Sequence, residues 1–316
     1  MKAKLPPQPF KFGLIGYPLG HSISPQIHHA ALEFLNLKGT YTCYEIQPTE
    51  EKISEIKRLF QQLREGIIHG LNVTIPYKAL MFELVDAATP QARQVGAVNT
   101  LFQRDGQVIG DNTDIKGFLT DFKAFVSAFG QKTTIPAQAL VIGGGGSARS
   151  VVYGLLQEGW NIIIAARNLE QAQNIVNQWH NKISDKQNIN AIRISEISTI
   201  ELQDITAVIN TTPVGMWPNI RLSPWPPGLP LPEKSVIYDL IYNPVETALM
   251  RSARLQGLPV RSGGGMLVEQ AALAFERWTG YMAPRAIMRQ AFQLAMKQFN
   301  PEQKNSETYE TTIHPH

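Results

Sequence analysis

Short apolar runs alternate along this chain with stretches in which apolar side chains return every three or four positions. That is the signature of strands alternating with helices. Phe12–Ile15 reads as a strand ending at Gly16. A helix follows with Ile27, Ala31, Leu32 and Leu35 on one face, and Ser24-Pro25 reads as its start, Ser24 as N-cap and Pro25 as first helical residue. Thr40–Ile46 is the next strand, Glu50–Arg64 the next helix, Gly70–Ile75 a strand that runs into Pro76, and Lys78–Leu84 a helix. Gly96–Phe102 and Gln107–Gly110 read as a hairpin around Asp105-Gly106. These elements predict an α/β block with a mainly parallel sheet. A strong helix then opens at Asp114, with Ile115, Phe118, Leu119, Phe122, Phe125 and Phe129 at helical spacing.

A second βαβ block begins at Ala139. Ala139–Ile142 is a buried strand, Gly143–Gly146 a turn, Ser147–Glu158 a helix closed by Gly159, and Ile162–Ala165 a second strand. A helix over Leu169–His180 and strands over Ala207–Thr211 and Val236–Leu240 continue the alternation. The proline-rich stretch Pro213–Pro232, with Trp217 and Trp225, reads as an ordered surface loop with no chemistry assigned. Gly263–Gly265 reads as a hinge before two last helices, Met266–Trp278 and Pro284–Phe299. The expected division is residues 1–113, 114–264, a helical return over 265–300, and a polar tail over 301–316 expected to be disordered.

The glycine turn carries the first chemical signal. A strand, a glycine-rich turn and a helix N-terminus let a pyrophosphate approach free N–H groups at the positive end of a helix dipole. Glycine clusters are also ordinary tight turns, so the flanking strands and helix make the case. The end of the second strand refines it. An acid there would bind a ribose 2′-hydroxyl. Here stand Ala166, Arg167 and Asn168. An arginine suits a 2′-phosphate through paired charge-assisted bonds, which favours NADP(H), although a surface arginine at a strand end is the plain alternative.

Composition narrows the rest. The chain has 316 residues, 43% of them apolar, and a net charge of +3. There is no lysine–arginine block of the kind that grips nucleic acid. The single cysteine, Cys43, excludes an internal disulfide and fits a reducing, cytoplasmic compartment; its strand suggests a buried, apolar role. No apolar run approaches the roughly 18 residues of a membrane span, and MKAKLPPQPF lacks the apolar core of a secretion leader. The seven histidines show no zinc spacing, so no metal site is expected.

Ser22 and Ser24 beside a helix start are either a cap and a turn or a carboxylate site. Lys78 is noticeable because a cation in a helix's first turn opposes the dipole. Asp114 alone is an ordinary helix-start acid; with Lys78 it could form a proton-transfer pair, which spacing cannot decide.

Eight motifs in order decide it: GHSISPQIHHAA (20–31), NVTIPYK (72–78), GAVNTL (96–101), GDNTD (110–114), GGGGSAR (143–149), INTTPVGM (209–216), YDLIYNP (238–244) and GGGMLVEQAA (263–272). Together they resemble the shikimate and quinate/shikimate dehydrogenases over roughly 12–298. The resemblance implies an α/β fold of two domains: a substrate domain, a Rossmann-like NADP-binding domain, and last helices returning to the first. It implies Ser22 and Ser24 on the substrate carboxylate, with Asn72, Thr74, Asn99 and Gln270 on the ring hydroxyls and Tyr242 nearby. Lys78 and Asp114 would be the catalytic pair. Gly143, Gly144, Gly145, Gly146, Ser147, Ala148 and Arg149, with Ala166, Arg167 and Asn168, would bind NADP(H). Thr211, Met216, Leu240 and Gly263 would lie on its nicotinamide side. The implied partners are small molecules, with no nucleic acid or membrane, and the working unit is a monomer or homodimer. The rival readings are a broader quinate/shikimate dehydrogenase using NAD and a non-catalytic NADP sensor. The family often has Asn-Arg-Thr where Ala166-Arg167-Asn168 stands here, and Ala where Gly144 stands.

Overall fold

The computed structural model describes residues 9–49, 52–129, 137–180 and 182–299. The expectations placed on MKAKLPPQPF up to residue 8, on Gly130–Pro136 and on the tail from residue 300 lie outside them.

The first block comprises β1 (Phe10–Gly16), α1 (Ser24–Phe34), β2 (Gly39–Glu45), α2 (Ile53–Arg64), β3 (Gly70–Val73), α3 (Lys78–Leu84), β4 (Ala87–Ala88), α4 (Pro90–Val95), β5 (Thr100–Arg104) and β6 (Gln107–Asp111). Its sheet runs β2-β1-β3-β5-β6-β4, with β3/β5 and β5/β6 antiparallel and the other pairs parallel. The β5–β6 hairpin turns at Asp105 and Gly106, both at positive φ. The strand expected from Gly96 begins only at Thr100. Gly96 instead ends α4 in a left-handed conformation, and the short α4 is absent from the sequence reading. Its Pro90 start and Thr89 cap were the available signals.

The long helix α5 (Asp114–Ala128) leads to the second block. There β7 (Gln138–Ile142), α6 (Gly146–Gln157), β8 (Asn161–Ala166), α7 (Leu169–Trp179), β9 (Ile189–Arg193), β10 (Ile205–Asn210), β11 (Val236–Asp239), α8 (Ala248–Leu255) and β12 (Val260–Ser262) build an all-parallel sheet ordered β12-β11-β10-β7-β8-β9. Strand order reverses between β7 and β10, so loops leaving their C-terminal ends diverge and open a crevice, the usual ligand position in such sheets.

Two helices, α9 (Gly264–Thr279) and α10 (Arg285–Phe299), are the last of the described residues. Val268, Ala271, Phe275 and Trp278 of α9 share a core with Phe10, Phe12, Ile27 and Ala31 of the first block. Full burial of each large apolar side chain contributes about 1.5–3 kcal/mol, enough to return these helices to the first lobe. Helix α5 works the other way. Its Phe118, Phe122 and Phe125 enter the second lobe's core beside Tyr238.

Gly263–Gly265, expected as a hinge, is the closely packed start of α9. A Cβ on Gly263 would stand 2.0 Å from the Leu240 carbonyl oxygen, and one on Gly265 2.0 Å from Asp121 Oδ1. Glycine is required there for approach. Asp121 in turn accepts a hydrogen bond from Tyr238 at 2.8 Å and pairs with Arg261 at 3.4 Å, and its burial raises its carboxyl pKa.

Candidate active site

A cleft of about 420 Å³ lies between the two lobes. Ser22, Ser24, Asn72, Thr74, Asn99, Tyr242 and Gln270 all line it, as do Lys78, Asp114, Ser147, Thr211, Met216, Leu240 and Gly263.

Its polar floor is an ion pair. Lys78 Nζ stands 2.6 Å from Asp114 Oδ2, with 12% and 6% of the two side chains exposed. Each residue opens a helix, α3 and α5 respectively. The carboxylate therefore sits favourably at its dipole end and offsets the unfavourable position of the lysine. Lys78 Nζ also lies 3.3 Å from Ser147 Oγ, which belongs to the first turn of α6 in the other lobe. The ammonium thus stands where the two lobes meet.

Asn99 holds the pair in place. Its Oδ1 accepts from the Thr113 N–H at 2.7 Å, and that contact fixes the amide orientation. Its Nδ2 consequently faces acceptors: Asp114 Oδ1 at 2.8 Å and Gln270 Oε1 at 3.4 Å. Asn72 is oriented by the same logic. Tyr41 donates its hydroxyl to Asn72 Oδ1 at 2.9 Å, so Nδ2 points to the Asn99 carbonyl and Thr100 Oγ1. Tyr41 stacks on His28, ring centroids 4.5 Å apart. Burial pushes His28 down to about 3, so this ring is a neutral prop. His29, on another face of α1, accepts from the Tyr41 N–H. Burial likewise pushes Tyr242 up to about 12, leaving its phenol a neutral donor at the cleft wall.

Two expectations on the Ser22 side need correction. Ser24 is not an N-cap: α1 starts at Ser24 itself, Ile23 takes the cap position, and no side chain caps the helix. The Ser24 hydroxyl instead interacts with Tyr41, and its N–H reaches Ser22 Oγ at 3.4 Å. Cys43 is exposed rather than buried. It lies on the sheet's edge strand, where Tyr41 takes the buried place on the same face.

The glycine turn occupies the crevice end. Gly143 has φ of +123°, and a Cβ there would stand 2.4 Å from Thr211 Oγ1, so only glycine fits. Nothing lies within 4 Å of a Cβ built on Gly145. That open space sits directly before Gly146, where α6 begins and presents the unpaired N–H groups of its first turn. These features fit a pyrophosphate. Ala148 is buried, so only its backbone can serve there. Gly144 packs on Gln171. Arg149 is directed away, donating to Gln178 Oε1 at 3.2 Å. At the end of β8, Ala166 is buried in the core, while Asn168 caps α7 through the Glu170 and Gln171 N–H groups. Arg167 is exposed between them, with its guanidinium available to an anion.

The loop after β10, expected to be a plain surface segment, contributes Pro213, Met216, Trp217 and Pro218 to one wall of the cleft. Farther on, Trp225 and Leu231 are buried in the core on the outer face of the second sheet. His21, Thr212 and Asn243 also line the cleft and are missing from the sequence reading. Each of the three lies inside a motif quoted above, GHSISPQIHHAA, INTTPVGM or YDLIYNP, which was the signal available.

The comparisons agree along the chain's length. A family model described as the shikimate dehydrogenase substrate binding domain matches residues 14–101, and one for the shikimate 5'-dehydrogenase C-terminal domain matches 263–291. A shikimate dehydrogenase (NADP(+)) of Shouchella clausii is 36% identical across 90% of this chain and 98% of its own. That of Methanopyrus kandleri is 38% identical across 88% and 93%. The crystal structure of shikimate 5-dehydrogenase from Thermus thermophilus with NADP(H) and shikimate is 31% identical, with a TM-score of 0.74 over 90% of this chain and 99% of that one.

Proposed function

The chain belongs to the shikimate dehydrogenase family, and from that membership and the geometry of the cleft we propose that it interconverts 3-dehydroshikimate and shikimate with NADP(H). The observation that carries the reading is the Lys78–Asp114 pair, largely buried at the meeting point of the substrate-side lobe and the α6 turn.

A nicotinamide held beside Thr211, Met216, Leu240 and Gly263 would supply the hydride chemistry at the C3 carbon of the substrate. The protein has to orient the substrate and manage one proton. Lys78 gives that proton to the C3 oxygen as the ketone is reduced and removes it in the reverse direction. Its ammonium also stabilises the negative charge that the oxygen gains on the way. Asp114 aims Lys78 and shares its proton. Asn72, Thr74, Asn99 and Gln270 hold ring hydroxyls, Tyr242 stands by, and Ser22 and Ser24 take the carboxylate. The α6 turn takes the pyrophosphate and Arg167 the 2′-phosphate. Thr211, Met216, Leu240 and Gly263 form the wall on the nicotinamide side. The working unit is a monomer or homodimer in the cytoplasm; among the described residues no helix is long and apolar enough to cross a membrane.

Arg167→Ala tests the cofactor half of this reading, with shikimate as the reductant. Loss of a charge-assisted contact costs about 1.5–3 kcal/mol, about tenfold to a hundredfold in affinity. The Michaelis constant for NADP should rise by that factor while that for NAD stays nearly fixed. Equal effects on both cofactors would remove Arg167 from the 2′-phosphate, and absence of any shikimate oxidation by the unmodified protein would remove the function.

A further inference from the structure

One contact spans the mouth of the cleft and has no part in the chemistry above. Trp217, from the loop after β10 in the second lobe, packs on His21, from the loop after β1 in the first; their ring centroids are 4.1 Å apart at 60°. Both rings line the cleft. His21 immediately precedes Ser22, so the contact lies at the end of the cleft assigned to the substrate carboxylate.

The loop is built to present that ring. The Met216 N–H bonds to the Pro213 carbonyl at 3.1 Å, closing a tight turn. Gly215 inside it has φ of +97°, and a Cβ there would stand 2.9 Å from the Leu222 carbonyl oxygen. The Trp217 N–H bonds to the Asn243 carbonyl, which fixes the ring's base to the neighbouring loop of the same lobe. Trp217 nevertheless remains 49% exposed, whereas Trp160, Trp179, Trp225 and Trp278 are each at most 8% exposed. A large aromatic ring held out from one lobe onto the other, with half its surface still open to solvent, has area left to cover a ligand.

We infer that Trp217 is a positioning residue for the substrate: it latches the second lobe onto His21 and covers the carboxylate end of the cleft. The inference rests on the assignment of Ser22 and Ser24 to the carboxylate. A cover here retains the substrate and excludes water without touching the reacting atoms.

The position of the latch decides which constant responds. It covers the substrate end, so loss of Trp217 should fall on substrate retention and spare the cofactor. An aromatic pair is worth about a few-fold to tenfold in an equilibrium constant. Trp217→Ala should therefore raise the Michaelis constant for shikimate about tenfold and leave that for NADP within about twofold. Trp217→Phe, which keeps a ring on His21, should recover most of the loss. Fluorescence supplies a second readout on the unmodified protein, because Trp217 is its one exposed tryptophan. Shikimate should shield the acrylamide-quenched fraction, and that fraction should be missing in Trp217→Phe. The inference is overturned if Trp217→Ala leaves the shikimate constant unchanged, if it raises both constants equally, if phenylalanine fails to rescue, or if shikimate does not alter the quenching. Ser22→Ala separates the two assignments. If that change leaves shikimate binding intact while Trp217→Ala weakens it, the carboxylate assignment fails and Trp217 stands only as a cover over another part of the substrate.

Discussion

Lys78→Ala should cut turnover at least about a hundredfold, with a much smaller change in the Michaelis constant for shikimate. A group that meets substrate and transition state equally changes only binding. Lys78 is assigned to an oxygen that is a neutral ketone or hydroxyl in the ground state and gains negative character as the hydride moves. Its contribution therefore falls on turnover. The structure also makes the variant a clean one at the cofactor side. Lys78 reaches the second lobe through a hydrogen bond to Ser147 Oγ at 3.3 Å and through its stem, which lies against Gly146, and the backbone N–H groups of the α6 turn need neither contact. Calorimetry should accordingly show NADP and shikimate still binding to the variant. A variant that binds neither would make Lys78 structural, and one that turns over within about threefold of the unmodified protein would assign the proton to another group.

Asp114→Asn should produce the second large loss, in both turnover and stability. Each carboxylate oxygen of Asp114 faces a donor: Oδ2 faces Lys78 Nζ at 2.6 Å and Oδ1 faces Asn99 Nδ2 at 2.8 Å. An amide at this position has one oxygen, so its NH₂ group must face one of those two donors. Asn99 cannot flip to help, because its Oδ1 is held by the Thr113 N–H. Removing one partner of a buried pair costs about 3–5 kcal/mol, here discounted for the residual exposure of both groups. Thermal unfolding should show a lowered midpoint, and steady-state kinetics a drop in turnover comparable with that of Lys78→Ala. The double variant should lose less than the product of the single losses, since the two residues act as one unit. Full multiplicativity would mean that they act independently.

The sequence makes the skeleton of this account readable, for a physical reason. Long amphipathic helices such as α2, α5 and α7 and buried strands such as β7 and β8 carry their periodicity in local sequence. Elements set by their neighbours do not. β4 is two residues long and exists only as a partner of β6, and β12 only as a partner of β11. α4 is six residues, too short for a period to show.

The site divides in the same way. Lys78 and Asp114 each stand out in the sequence through their position at a helix start, yet they lie 36 residues apart, and only the fold brings them to 2.6 Å. Ser24 looks like a cap because Ser-Pro is a usual start signal, whereas α1 begins one residue earlier than that signal implies, with Ile23 at the cap position. Trp217 is unreadable because its partner is His21, nearly two hundred positions earlier and in the other lobe. Arg167 is a candidate the sequence can offer because strand end and charge are both local, and the structure places it exposed at the end of β8.

The most direct test is a four-way assay of the purified protein, shikimate or quinate against NADP or NAD, following the absorbance of the reduced nicotinamide. Shikimate with NADP should give the highest kcat/KM of the four combinations, and replacing NADP by NAD should lower it by about the tenfold to hundredfold expected of the proposed Arg167 contact. A higher kcat/KM with quinate and NAD, or no reduction of either cofactor by shikimate, would contradict the account.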